Sequence, residues 1–360
     1  MLRKILLSPY YLFLSLRHLF YDKGWKKSGE ALVPTVCIGN ITVGGTGKTP
    51  HTEMVLRILL KSDAWAYRNI AVLSRGYKRS SKGFRIVRRD GSADYYGDEP
   101  LQIAKKFPVT TVAVDKDRIE GCRLLHEGAS GSPAAEIIVL DDAFQYRKLR
   151  AKVNIVLVDF SRPVSKDVLL PLGSLRDLPS RLKAADFIIV TKCPSWLDEW
   201  ERSKWAADLG VPGYNVSSCR GSDGRYIFFS RIEYGEMTPV FEDADSRFVY
   251  SSRTVLFSGI ARDGHLVQYL SDSRSVVRRL RFPDHHKYTK RDLRKIRDAV
   301  RDNPTALLCT TEKDAQRIVD CKSVPSDLRS RLFFLPISVE FVRAEDSVIF
   351  ESAFLDAVGQ

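Results

Sequence analysis

Residues 39–50 read GNITVGGTGKTP, directly after the apolar run VPTVCIGN. A glycine-rich turn between a strand and a helix aims successive backbone N–H groups inward. The helix that follows adds its partial positive charge, so such a turn binds phosphate. Thr42, Val43, Gly44, Gly45, Thr46 and Gly47 would form the cradle. Lys48 would reach the β- and γ-phosphates of a nucleoside triphosphate, and the Thr49 hydroxyl would ligate Mg²⁺. In the spacing G-x-x-x-x-G-K-[ST] the first glycine falls on position 42, which is Thr42 here. That alters the lead-in turn, while Gly44, Gly45 and Gly47 leave the inner backbone free to approach phosphate. The position before the paired glycines, where some P-loop ATPases carry a second lysine, is Val43. An accidental GGTGKT at a strand–helix junction is the bland alternative.

A phosphate loop needs an acidic partner at the end of a neighbouring strand. EIIVLDD (136–142) offers Asp141 and Asp142, a carboxylate pair suited to direct or water-mediated Mg²⁺ binding. Without the loop, the same pair reads equally well as a turn. GDEP (97–100) taken alone is a turn leading into a helix whose first-turn acids, Asp98 and Glu99, favour the helix dipole. FPDHH (282–286) places His285 and His286 beside Asp284, and one isolated Asp-His-His string is too little for a zinc site. TTEKDA (310–315) resembles a strand end and helix cap, with Lys313 suited to packing on the nucleotide side. VTKCP (190–194) is a faint match to a guanine-reading NKxD, but proline stands at the aspartate position. It keeps open an ATPase or GTPase switch.

The elements that would carry these residues alternate between short apolar strands and longer amphipathic segments, the βα pattern of a parallel sheet. Strands are expected at 35–39, 70–74, 110–114, 137–140, 154–159 and 187–191, with helices clearest at 51–62 and 99–107. A second βα series starts at 254–260, continues at 306–311 and ends near LFFLPISVEF (332–341). The expected division is an interfacial helix (1–27), a phosphate-loop domain (28–215), extended linker strands (216–250), a smaller α/β domain (251–345) and a tail (346–360).

The chain has 360 residues and a net charge of +13, from 57 basic and 44 acidic side chains. Such an excess suits an anionic partner, although general solubility is the plain alternative. The charge is spread along the chain without a nucleic-acid-binding motif, so no nucleic acid is expected. Six scattered cysteines without a CxxC pair argue against zinc or a disulfide framework and for a reducing compartment. The first 27 residues carry Arg3, Lys4, Arg17, Lys23, Lys26 and Lys27 against one acid, Asp22. Their uncharged stretch, 5–16, is short of the ~20 residues that span a bilayer. Aromatics and leucines flanked by cations suit a helix lying at an anionic membrane surface. The alternative is an amphipathic helix packed on its own domain.

The basic N-terminal helix, GNITVGGTGKTP, LSRGYK (73–78), GDEP, VDKDR (114–118), LDDAFQYR (140–147), LPLGSLRD (170–177), FPDHH and TTEKDA occur in this order. Together they resemble the tetraacyldisaccharide 4′-kinase family of the lipid A pathway, over nearly the whole chain. The resemblance implies a P-loop NTPase-type sheet, mostly parallel with helices on both faces, and a second smaller α/β domain. It implies ATP and Mg²⁺, and phosphorylation of the 4′-hydroxyl of an acylated glucosamine disaccharide 1-phosphate to give lipid IVA. It also implies a peripheral protein on the cytoplasmic face of the bacterial inner membrane, with no obligate protein partner. By the same resemblance Asp98 is the base for the sugar hydroxyl and His285, or alternatively His286, pairs with it from the second domain. Glu99 would join Asp141 or Asp142 around Mg²⁺, and Arg118 and Arg176 would neutralise phosphate. Three positions depart from the pattern: Ala143 where LDDG is common, Tyr146 for the histidine of FQHR, and Asp177 where glutamate is usual. They leave local geometry and the assignment of Asp177 open.

Overall fold

A computed structural model describes residues 2–321 and 324–359. Eight strands come first: β1 (Thr35–Asn40), β2 (Ile70–Ser74), β3 (Arg85–Ile86), β4 (Thr111–Val114), β5 (Ile137–Asp141), β6 (Val153–Asp159), β7 (Phe187–Thr191) and β8 (Tyr226–Tyr234). Five more build a second sheet: β9 (Thr238–Pro239), β10 (Arg253–Ser258), β11 (Ser275–Arg281), β12 (Leu307–Thr311) and β13 (Leu332–Leu335). The last, β14 (Ile337–Phe341), returns to the first sheet. The strand orders are β14-β8-β7-β6-β1-β5-β2-β4-β3 and β11-β10-β12-β13-β9. The result is an α/β protein of two domains with mixed sheets. Among the described residues, antiparallel strand pairs occur only at the edges, β3–β4, β8–β14 and β9–β13.

The central strands β1, β2, β5 and β7 are buried at every residue, as their continuous apolar runs require. Side chains alternate between two cores. Cys37, Ile138, Leu140 and Val156 face one, and Val36, Ile38, Val139 and Ile155 face the other. The helix Lys48–Lys61 covers the second core with Val55, Leu56 and Leu59. Burying each such side chain stabilises the fold by about 1.5–3 kcal/mol.

Three segments differ from the sequence expectation. Within 216–250, β8 is no mere linker: it pairs in parallel with β7, and Ile227, Phe228 and Phe229 are fully buried. Its aromatic run belongs to a strand covered on both faces. LFFLPISVEF splits at Pro336 into β13 and β14, which lie in different sheets. Proline offers no N–H to a ladder, so it marks the crossover between domains. The expected tail is a helix, Ala344–Gly359, whose Phe350, Phe354 and Val358 recur at helical spacing. These three pack into the same core as Phe187 and Phe228.

The N-terminal segment forms a helix, Leu2–Asp22. Leu14 and His18 are buried against the first domain, while Tyr11, Leu12, Phe13, Leu16, Leu19 and Phe20 are exposed. Among the described residues no helix is long and apolar enough to cross a membrane.

Candidate active site

The glycine-rich loop lies between β1 and the helix Lys48–Lys61, at the carboxyl end of the parallel strands. Gly44 (φ 93°) and Gly47 (φ 88°) adopt backbone angles that side chains disfavour. Thr42 does not need that freedom, because it lies extended in an antiparallel bridge to Leu175. On either side of it, Val43 N–H donates to the Ser174 carbonyl (2.7 Å) and Arg176 N–H to the Ile41 carbonyl (2.9 Å). Inside the loop, Asn40 donates to the Thr46 hydroxyl (2.6 Å) and the Thr191 hydroxyl donates to the Thr46 carbonyl (3.0 Å). Lys192, from the NKxD-like stretch, holds the Gly45 carbonyl and Asp159 (2.7 Å). In this arrangement its ammonium supports the loop backbone.

His51 closes the first turn after the loop. Its Nδ1–H donates to the Gly47 carbonyl (2.7 Å), and its Nε2 accepts from the Ser230 hydroxyl on β8 (2.9 Å). Burial pushes this imidazole from 6.5 down to about 4, although the Gly47 carbonyl acts the other way. Its neutral form therefore supports the fold fully above its unfolded pKa. That support is lost as pH falls from about 6.5 towards 4, roughly 3 kcal/mol in all. Melting temperature measured at about pH 7 and about pH 5 should fall in the native protein, and His51→Gln should flatten that fall.

Opposite the loop, β5 ends in the two acids. Asp142 (φ 51°) accepts from Arg176 at both oxygens and faces the Lys48 ammonium at 3.8 Å. Arg176 also holds the Asn40 side chain, so one guanidinium joins the acid to the loop. Asp141 is buried, accepts from the Ser74 hydroxyl (3.1 Å), and is pushed up to about 6 by burial and then by the Asp142 charge. A carboxyl raised in this way is well placed to be compensated by a cation. Arg118 lies behind the end of β5. It is 2% exposed, and its guanidinium donates to the Asp115 and Asp141 carbonyls. The resemblance assigns it to phosphate; its burial is not visible in VDKDR, and here its guanidinium holds the end of β5.

The second domain closes the site. Gly97 (φ 98°, ψ 151°) takes a conformation essentially reserved for glycine and turns the chain so that Asp98 opens the helix Asp98–Lys106. His285, itself at φ 58°, meets Asp98 Oδ2 through Nδ1 at 3.0 Å. His286 instead pairs with Asp292 (3.0 Å) and stacks on Phe282, which leaves His285 as the partner. A residue absent from the sequence reading shares the carboxylate: Arg317 Nε donates to the same Oδ2 at 2.9 Å. Arg317 is fixed in turn by the Gly259 carbonyl (2.9 Å) and Asp314 (2.8 Å). One turn earlier on that helix, Lys313 holds Glu99 at 2.7 Å. The signal is the i, i+4 spacing of Lys313 and Arg317, which matches the adjacent acids of GDEP; Arg317 lies two residues beyond the TTEKDA string. Burial alone would raise Asp98, but the His285 and Arg317 bonds outweigh it and hold the carboxyl at about 2. Burial likewise opposes ionisation of Glu99, and Lys313 outweighs it.

A family sequence model described as tetraacyldisaccharide-1-P 4′-kinase matches residues 2–357. A tetraacyldisaccharide 4′-kinase of Phocaeicola vulgatus is 36% identical over 349 residues, 95% of this chain and 91% of that protein. One from Flavobacterium johnsoniae is 36% identical over 351 residues, covering 96% of this chain and 95% of the relative. A crystal structure of LpxK from Aquifex aeolicus in complex with ATP superimposes with a TM-score of 0.70. It is 26% identical, and the match covers 99% of each chain. With family model and relatives both spanning nearly its whole length, the chain belongs to the tetraacyldisaccharide-1-P 4′-kinase family.

Proposed function

We propose that the protein transfers the γ-phosphoryl group of ATP to the 4′-hydroxyl of a tetraacyldisaccharide 1-phosphate, giving the 4′-phosphorylated lipid A precursor, lipid IVA. The observation that carries this reading is the meeting of Asp98 with His285 and Arg317 across the domain boundary. Family membership supports the substrate.

In this reading the loop N–H groups from Gly44 to Thr49 and the Lys48 ammonium bind the triphosphate, as a P-loop does. Arg176 and Lys48 are the cations that face the transferring group. The acceptor hydroxyl is oriented by Asp98, and its proton passes to the Asp98–His285 pair as the new O–P bond forms and the bond to ADP breaks. A carboxyl near 2 is a weak base. In a loose phosphoryl-transfer transition state, however, positioning counts for more than basicity. Asp141, Asp142, Glu99 and the Thr49 hydroxyl form an all-oxygen donor set of the kind Mg²⁺ takes. Among the described residues no three acidic, His or Cys side chains converge on one metal position. That fits an ion drawing further ligands from phosphates and water. When bound, Mg²⁺ would supply charge neutralisation at the β- and γ-phosphate oxygens.

The exposed apolar side of the N-terminal helix, with the basic excess of the chain, supports docking on the anionic cytoplasmic face of the bacterial inner membrane. The test uses purified protein, labelled ATP, Mg²⁺ and the disaccharide 1-phosphate in detergent. A bis-phosphorylated lipid is the expected product. Nucleotide hydrolysis without phosphorylated lipid, or selectivity for GTP, would overturn the reading in favour of a switch.

A further inference from the structure

The N-terminal helix is wired to the phosphate site through its protein-facing side. Its His18 Nε2 donates to Asp177 Oδ1 at 2.6 Å, with both side chains buried. The His18 Nδ1 accepts from Arg147 at 3.2 Å, and Arg147 also holds Asp22 at the end of the same helix (2.8 Å). Two turns earlier, the Tyr10 hydroxyl donates to the Arg176 carbonyl at 3.0 Å. Between them Arg17 donates to the Gln145 carbonyl (2.6 Å), three residues after Asp142. The helix therefore grips Arg176 and Asp177 directly. Arg176 is the guanidinium on Asp142 and Asn40, and Asn40 in turn holds Thr46 of the loop. The 174–176 backbone is also zipped to residues 41–43.

We infer that His18 and Tyr10 are positioning residues: docking of the N-terminal helix sets the Arg176–Asp177 segment, and through it the phosphate-facing geometry of Arg176 and the loop. Three features carry this. Asp177 is fully buried, and the His18 Nε2–H is the side-chain donor on its Oδ1. Losing that partner leaves a buried carboxylate without its charge-assisted bond, which favours rearrangement of the segment. The contacts bracket Arg176 itself, at its own carbonyl and at the next side chain. Finally, the helix carries these residues on one side and Leu12, Phe13 and Leu16 exposed on the other, so the side that meets the protein is separate from the side open to a surface. Asp177 is thus assigned to the helix, not to the nucleotide. Engagement of a lipid surface by the exposed side would be felt at Arg176 through the Tyr10 and His18 contacts.

The inference rests on the kinase reading. The experiment measures kcat and KM for ATP and for the lipid in detergent micelles. It also measures co-sedimentation with phosphatidylglycerol–phosphatidylethanolamine vesicles, and melting temperature. His18→Ala should lower kcat about tenfold with vesicle binding within about twofold of the parent. His18→Gln, which keeps a donor near the Nε2 position, should recover most of it. Tyr10→Phe removes one hydroxyl and should lower kcat about threefold, which keeps the test decisive if His18→Ala folds poorly. Phe13→Ser should lose vesicle binding. An unchanged kcat in both His18→Ala and Tyr10→Phe, or a fall in vesicle binding that accounts for the whole loss, overturns the inference. A parent protein that makes no phosphorylated lipid overturns the kinase reading instead.

Discussion

Asp98→Asn is expected to lower kcat by about 10³-fold while leaving the affinity for ATP within about threefold. The amide keeps the shape of the carboxylate and one oxygen for Arg317 and His285, so the domain contact should survive. It carries no charge and cannot receive the proton of the acceptor hydroxyl. In the proposed reading nucleotide binding rests on the loop and Lys48, which share no hydrogen bond with Asp98. Steady-state kinetics with saturating lipid, together with calorimetric titration of ATP, separate the two quantities. A comparable loss in ATP affinity would mean that Asp98 organises the nucleotide site and not the acceptor. Arg317 gives the expectation its physical basis. Two donors on one carboxylate oxygen, one from a turn and one from a helix of the other domain, fix where the free oxygen points.

Asp346→Ala is expected to destabilise the protein by about 3–5 kcal/mol. Asp346 and Arg202 form an ion pair with both side chains wholly buried. Asp346 also accepts from the Cys219 thiol at 3.3 Å. Arg202 already has Nε and Nη1 without partners, so its charge rests on this one acid and on the face of the Phe229 ring. Removing the acid strands a guanidinium in the core. Replacing both by Leu should recover most of the loss, because an apolar pair of similar volume incurs no desolvation cost. Urea denaturation of the two single variants and the double variant reads the coupling. Additive single losses would show that the pair is not a unit.

How much of this was legible in sequence follows from where each signal lies. The strands that are buried on both faces announced themselves as continuous apolar runs, and the loop as a contiguous string with its lysine. β8 and the helix Ala344–Gly359 did not, because an aromatic alternation and a weakly periodic last segment gain meaning only from the sheet they cover. The acids of GDEP and the histidine pair were recognisable only through resemblance, and their geometry came from partners far along the chain. Arg317 stands 219 residues from Asp98, and His18 stands 159 from Asp177. Local pattern carries no trace of such distances. Arg118 shows the opposite limit: its identity was visible, its burial was not.

The position of β14 has a consequence for synthesis of the chain. The first domain is completed by residues 337–359, which emerge after the whole second domain. Until then, the aromatic face of Phe187 and Phe228 waits without Phe350 and Phe354. A chain made at about 5–20 residues per second exposes that face for several seconds, while the second domain is free to fold first. The inserted domain is therefore assembled before the scaffold that carries it is sealed. The final helix acts as the latch that closes this aromatic core.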